Sequence, residues 1–228
     1  NNERVATKVF KDVFNKYDLM NDIMSLGIHR FWKKNFIKWL NPQINSKLID
    51  VASGTGDIAK LYLNEIKNNG SVFCVDENKG MLEISKKRFT NSENVKWFCN
   101  NAEKLPFEDN SFDYYTISFG LRNTKNINKS LKEAYRVLKP GGRFLCLEFS
   151  KVNNEILKKF YEIYSSSIPG LGKLVIGKSE PYSYLVNSIE KFYNQRDFLK
   201  KIEEHKFVNT TFKNLSAGIV AIHSAWKV

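Results

Sequence analysis

This sequence predicts an α/β fold whose doubly wound, mostly parallel sheet of seven strands ends in an antiparallel hairpin, and three observations carry that prediction. Short β-like apolar runs recur along the chain with helix-length amphipathic segments between them, the spacing of βαβ units. A glycine turn, Gly54-Thr55-Gly56, separates the first such run from the helix after it, the place where open α/β sheets bind ligands. The last two runs follow each other with only Ser216 and Ala217 between them, which reads as a hairpin.

The elements follow in order. Apolar residues at Val5, Val9, Phe10, Val13, Phe14 and Tyr17, and again at Phe31, Trp32, Phe36 and Leu40, repeat at helical spacing, so helices are expected over 3–17 and 29–40. After the turn at Asn41-Pro42 the pattern becomes alternation, with strands expected over 47–52, 71–76, 95–99, 112–118 and 142–149. Helical segments lie between them at 58–67, 80–89 and 127–138, the last stopped by Pro140-Gly141-Gly142. A helix over 153–167 leads into a segment of loop character, 168–177, rich in glycine and closely followed by Tyr182 and Tyr184. A final helix over 195–205 precedes the hairpin strands 208–215 and 218–226. The expected organisation is one domain over 1–228, with an N-terminal helical cap (1–41), a cofactor-binding core (42–150), an insertion or substrate lid (151–194), and a final helix with hairpin (195–228).

Composition narrows the classes. A chain of 228 residues, 42% hydrophobic and 26% charged, can bury one sizeable core. Its longest apolar runs are strand-sized, far from the roughly 18 residues that cross a bilayer. Cys74, Cys99 and Cys146 each fall in a β-like run, so buried unpaired thiols are expected, and neither a disulfide framework nor a metal site. The net charge of +12 attracts anionic surfaces, but the lysines are scattered. A solvated basic surface is the plainest reading, with membrane-surface attraction ahead of nucleic acid. The chain opens on Asn1 without an initiator methionine, which raises the expectation of a processed upstream segment such as a targeting peptide.

Within the nucleotide site, Gly54 and Gly56 let the backbone approach a ligand closely. With Ala59 they also satisfy the dinucleotide pattern G-x-G-x-x-A, so the glycines alone decide neither between NAD and S-adenosylmethionine nor against a tight turn without ligand. Asp50, four residues before Gly54, favours the methyl donor. It can meet the ammonium of a methionine moiety, whereas beside a pyrophosphate a carboxylate is unfavourable. Asp76 stands 21 residues after Thr55 at a strand end, close to the spacing of about 20 expected for an acid on the ribose hydroxyls; capping of the following helix is the competing role. Asn101-Ala102-Glu103 and Ser118 end the third and fourth strands and would line the adenine and the space near the sulfonium.

Longer motifs then become specific. The segment Tyr17-Asp-Leu-Met-Asn-Asp-Ile-Met-Ser25 with His29 and Trp32, and the segment Arg136-Val-Leu-Lys-Pro-Gly-Gly-Arg-Phe-Leu-Cys-Leu-Glu-Phe-Ser150, resemble the two signatures of the ubiquinone/menaquinone biosynthesis C-methyltransferases of the UbiE type. Thr116 to Asn123, Tyr182 to Val186 and Gly218 to His223 extend the similarity over nearly the whole chain. The sequence departs from the usual pattern at Ser53, Asn187 and Tyr193.

The resemblance implies a Rossmann-like class I methyltransferase in which Thr55, Asp76, Asn101, Ala102 and Ser118 contact S-adenosylmethionine, beside Asp50, Gly54 and Gly56. It implies methylation of a ring carbon of a polyprenyl benzoquinol on the way to ubiquinone, by an enzyme of the 2-methoxy-6-polyprenyl-1,4-benzoquinol methylase type. A demethylmenaquinone methyltransferase, or an enzyme acting on another lipid, is the alternative.

Ring methylation needs a phenolate, and Arg122 after the fourth strand is the residue expected to stabilise it. Arginine stays protonated, so water or His29 would take the proton. Tyr17, Met20, Met24, Tyr164, Tyr182 and Tyr184 are candidate walls for the prenylated ring. The expected partners are the prenylated hydroquinone and a membrane surface met peripherally, with a quinone-biosynthesis complex and a homodimer left open. Nucleic acid is not expected, because Ser118-Phe-Gly-Leu121 stands where an amine methyltransferase of nucleic acids carries an Asn-Pro-Pro-Tyr motif. The expected location is the matrix face of the mitochondrial inner membrane, with a bacterial cytoplasm as the alternative.

Overall fold

A computed structural model describes residues 27–89, 93–150 and 180–228, excluding the side chains of 180–183, 185 and 186. The elements are α1 (His29–Leu40), β1 (Ser46–Val51), α2 (Asp57–Glu65), β2 (Gly70–Asp76), α3 (Lys79–Arg88), β3 (Val95–Cys99), β4 (Phe112–Ser118), α4 (Ile127–Val137), β5 (Leu138–Phe149), α5 (Glu180–Lys191), α6 (Gln195–Glu203), β6 (Val208–Leu215) and β7 (Val220–Trp226). Short 3₁₀ turns over Leu121–Asn123 and Ser216–Gly218 complete them.

The seven strands form one sheet in the order β3-β2-β1-β4-β5-β7-β6. The first five are parallel, and β7 runs antiparallel between β5 and β6. Alternation along each strand divides the apolar residues between two faces. Leu48, Val72, Leu145, Leu147 and Ile222 pack under α1 and α2 with Phe36, Leu40 and Tyr62. Ile49, Val75, Ile117, Phe144 and Cys146 pack under α4 and α6 with Leu131, Ala134, Phe198 and Ile202. Three helices start on asparagine caps. Asn78, Asn126 and Asn194 accept from the backbone N–H groups of Met81, Lys129 and Asp197 at 3.2, 3.1 and 2.9 Å.

Three expectations are corrected. The fifth strand starts at Leu138 and takes in Pro140-Gly141-Gly142, because Gly141 at φ 79° absorbs a bulge against β4 while pairing resumes at Arg143. Tyr182 and Tyr184 lie on a helix, α5, that begins at Glu180. Cys99 is exposed, since β3 is an edge strand, whereas Cys74 and Cys146 on inner strands are buried. The expected helices 3–17 and 153–167 and the loop 168–177 lie outside the described residues.

Candidate functional site

The strand order reverses between β1 and β4, and the crevice at their carboxyl ends is where an open α/β sheet places its ligand. Both strand ends leave the sheet through left-handed residues, Ala52 at φ 53° and Phe119 at φ 55°. They press together so closely that a Cβ on Gly120 would lie 2.3 Å from the Cβ of Ala52. A bulky aromatic at positive φ is strained, as residues beside binding crevices often are.

The turn into α2 uses its glycines differently. Gly54, at φ 54°, faces open space, so its backbone is accessible to a ligand; a Cβ on Gly56, at φ 87°, would sit 2.6 Å from Ser85 Oγ and 2.7 Å from the Phe89 ring. Gly56 is thus required for α3 to pack against the turn. The amino end of α2 has Gly56 as its cap residue and no side-chain cap. Its first N–H groups and dipole therefore favour an anionic group.

Asp50 on β1 is fully buried. Its Oδ1 accepts from Thr116 Oγ1 at 2.8 Å, and its Oδ2 has no hydrogen-bond partner among the described residues. Burial raises its pKa to about 7, opposed by the Thr116 hydrogen bond and by the field of Lys33. An orphaned, buried carboxyl oxygen fits the ammonium of a methionine moiety better than a pyrophosphate.

Asp76 accepts from Gly54 N at Oδ2 and from Asn78 N at Oδ1, each at 2.8 Å. It braces the glycine turn while Asn78 caps α3, and each carboxylate oxygen keeps a lone pair for a ribose hydroxyl. Burial raises its pKa and these two backbone bonds pull it back.

Thr55 is buried, its hydroxyl accepting from Arg88 Nη1 at 2.8 Å. Asn101 Oδ1 accepts from Glu103 N at 3.1 Å and Lys104 N at 3.0 Å, turning the chain out of β3 beside the buried Ala102. Ser118 is half-buried at the end of β4. The predicted cofactor residues thus converge on one rim.

Arg122 lies at the same end of the sheet, its side chain only 5% exposed. Nη1 donates to Glu148 Oε1 and to Phe119 O, each at 2.7 Å, and Nε donates to Ser188 Oγ of α5 at 3.1 Å. Nη2 makes no hydrogen bond among the described residues. Glu148 is buried and also accepts from Phe149 N at 2.9 Å; burial raises its pKa and Arg122 opposes the rise.

The Arg122 Cζ stands 5.4 Å from the centroid of Phe149, which belongs to an aromatic wall with Phe119 and Trp32. Trp32 Nε1 donates to Ser216 Oγ at 2.8 Å, fastening α1 to the hairpin turn.

His29 is buried in the first turn of α1. Tyr184 is half-buried, and its hydroxyl donates to Asn123 Oδ1 at 3.1 Å. Tyr17, Met20, Met24 and Tyr164 lie outside the described residues, as does the Tyr182 side chain. His205 is engaged with Lys201 O, and burial lowers the pKa of His223 to about 4 beside Gln195 O, so neither enters the site.

Sequence reasoning missed Glu148, Thr116, and the cluster of Lys33, Asp57 and Arg88. A carboxylate inside the apolar run Phe144–Phe149 was the available signal for Glu148, because a buried charge needs a partner.

Residues 1–227 match the ubiE/COQ5 methyltransferase family. The chain is 53% identical over 231 residues to a ubiquinone/menaquinone biosynthesis C-methyltransferase UbiE of Rickettsia prowazekii, an alignment covering 98% of this chain and 93% of that protein. A Rickettsia typhi protein of the same name is 52% identical over 231 residues, with 98% and 93% covered. Among solved structures, a SAM-dependent methyltransferase of Thermotoga maritima superposes with a TM-score of 0.64 at 20% identity, covering 97% of this chain and 99% of that one. Another from Aquifex aeolicus gives 0.65 at 16% identity, covering 92% and 98%. At such identities the structural likeness speaks to the fold.

Proposed function

The chain belongs to the ubiE/COQ5 methyltransferase family, and from that premise we propose that it methylates a ring carbon of 2-methoxy-6-polyprenyl-1,4-benzoquinol on the way to ubiquinone. As a member of that family it is an S-adenosylmethionine-dependent C-methyltransferase of quinone biosynthesis. The observation that supports the aromatic acceptor is the buried guanidinium of Arg122 at the carboxyl ends of β4 and β5, beside the Trp32, Phe119 and Phe149 rings and with Nη2 uncommitted among the described residues.

When bound, S-adenosylmethionine supplies an electrophilic methyl group on a sulfonium. The chain's own residues supply the rest. Asp50 receives the ammonium of the methionine moiety, Asp76 holds the ribose, and the Asn101–Ala102 turn with Ser118 borders the adenosine. Arg122, fixed by Glu148, Ser188 and Phe119 O, presents Nη2 to the phenol oxygen and lowers the cost of its ionisation. The guanidinium keeps its own protons, and water or His29 accepts the phenolic one.

The lid role proposed for residues 151–194 is supported by α5, which rests on the 3₁₀ turn after β4 through the bonds of Ser188 to Arg122 and Tyr184 to Asn123. We place the protein in a bacterium in preference to the mitochondrial matrix, on the strength of the Rickettsia relatives. No described helix is long and apolar enough to cross a membrane. A prenylated acceptor has to be met at a membrane surface, and a net charge of +12 suits an anionic one.

Mass spectrometry of quinone intermediates in cells lacking the protein tests the reading. Accumulation of the methoxy polyprenyl benzoquinol is expected. Accumulation of demethylmenaquinone alone transfers the assignment to the alternative acceptor, and unchanged pools of both refute a quinone substrate.

A further inference from the structure

The ionic cluster at the start of α2 has no part in the chemistry above. Lys33, one turn into α1, has a side chain only 10% exposed, and its Nζ lies 2.7 Å from Asp57 Oδ2. An ammonium carries three N–H donors, and among the described residues Asp57 is the one acceptor that Lys33 uses. Asp57 is shared, because Arg88 Nη1 approaches its Oδ1 at 2.9 Å. Two cations on one carboxylate leave the cluster with a positive charge in excess.

Arg88 turns its Nη1 also to the carbonyl and hydroxyl oxygens of Thr55, at 3.2 and 2.8 Å. Arg88 is one-third exposed and Lys33 only one-tenth, so Lys33 is the less hydrated of the two cations. It lies beside a helix terminus whose first N–H groups no side chain caps, a place that already favours an anion.

Lys33 is also within electrostatic reach of Asp50, whose carboxyl it draws toward ionisation. The site thus pairs a buried carboxyl that no cation hydrogen-bonds among the described residues, on the strand before the glycine turn, with a largely buried ammonium holding spare donors, bonded to the first residue of the helix after that turn. That is the complement of an α-amino acid zwitterion, which carries ammonium and carboxylate on one carbon.

We propose that Lys33 receives the α-carboxylate of the methionine moiety of S-adenosylmethionine while Asp50 receives its ammonium, so that helix α1 is part of the cofactor site. The inference rests on the use of S-adenosylmethionine and is independent of the acceptor. Its consequence is selectivity. Decarboxylated S-adenosylmethionine keeps the adenosine, the sulfonium and the ammonium and lacks only the carboxylate.

Isothermal titration calorimetry of the full chain with both ligands tests it. The wild type should prefer S-adenosylmethionine by about 10- to 100-fold, the scale of a hydrogen bond between charged groups. Lys33→Met should reduce the preference to within about 3-fold, and Lys33→Arg should keep most of it. Loss of affinity for both ligands in equal measure in Lys33→Met would mean that Lys33 only braces Asp57, and overturns the proposal, as does a preference that survives the substitution. If circular dichroism finds Lys33→Met unfolded, Lys33→Gln, which still donates to Asp57, replaces it under the same criteria. A wild type that binds neither ligand overturns the cofactor assignment and this proposal with it, whereas a wild type that binds both equally overturns this proposal alone.

Discussion

Removing the Arg122 side chain strands Glu148. The two lie 2.7 Å apart with side chains 5% and 1% exposed, and taking one partner from such a buried pair costs about 3–5 kcal/mol because the other charge is left in low dielectric. At roughly 2–4 °C per kcal/mol for a chain of this size, Arg122→Ala should lower the melting temperature by about 6–20 °C. The deficit should depend on pH. Burial already raises the Glu148 pKa, and loss of Arg122 removes the charge that opposes the rise. A folded-state pKa above the unfolded one contributes stability in full below the unfolded value and loses it as pH climbs through the folded value. The Arg122→Ala protein should therefore lie closer to wild type at pH 5 than at pH 8. Adding Glu148→Gln should recover most of the loss, and that double variant is the one in which to measure chemistry. There kcat should fall on the order of 10²- to 10³-fold, the size of losing one stabilising donor, and the deficit should shrink at high pH where a reduced hydroquinone ionises unaided. Scanning calorimetry and single-turnover methylation read the two effects separately. An Arg122→Ala protein that melts with wild type at pH 8 refutes the buried pair, and a folded double variant that turns over normally refutes phenolate stabilisation.

Asp50, its carboxyl raised to about 7 by burial, is favoured neutral in the cofactor-free fold, so its contribution to stability is present in full below its unfolded pKa and lost as pH rises through about 7. Asp50→Asn should accordingly melt higher than wild type at pH 8 without cofactor yet bind S-adenosylmethionine more weakly, while wild-type affinity should increase from pH 6 to 8; flat affinity across that range in calorimetry rules out an ionised Asp50 on the ammonium. Asp76→Ala should weaken cofactor binding by roughly 1–3 kcal/mol, and an unchanged dissociation constant would leave Asp76 only its bonds to Gly54 N and Asn78 N. Gly56→Ala should destabilise by about 1–3 kcal/mol through positive φ, with the Ser85 and Phe89 contacts adding to it, a loss that urea denaturation would detect.

The fold was legible wherever one periodicity ran uninterrupted. Val95–Cys99 and Phe112–Ser118 were placed to the residue, and α1 was bounded as His29–Leu40, because alternation and the helical stripe each report a single buried face. Failures came where two signals competed. Pro140-Gly141-Gly142 is a helix stop in sequence and is also the bulge that lets β5 join β4 early; local chemistry alone does not choose between the two. Helix α5 follows a glycine-rich stretch, and its anchors on the sheet, Ser188 to Arg122 and Tyr184 to Asn123, span 66 and 61 residues of sequence. Contacts of that range leave no local periodicity to read.

The candidate site could be proposed from sequence as positions but not as partnerships, and the partnerships separate its two buried carboxylates. Asp50 and Glu148 both sit on inner strands, fully removed from water, with pKa values raised by burial. In sequence each is an acid in an apolar run. In the fold Glu148 is matched by Arg122 at 2.7 Å, whereas Asp50 has a neutral hydroxyl on one oxygen and, among the described residues, no partner on the other. A matched carboxylate holds its cation in place, so in the proposed mechanism Glu148 fixes Arg122 toward the acceptor. An unmatched one carries a desolvation cost that an arriving cation relieves, and the methionine ammonium is such a cation. In the proposed site the same carboxylate chemistry thus does opposite work, positioning a charge at Glu148 and receiving one at Asp50, and the difference lies in a partner 26 residues away from Glu148 that Asp50 lacks among the described residues.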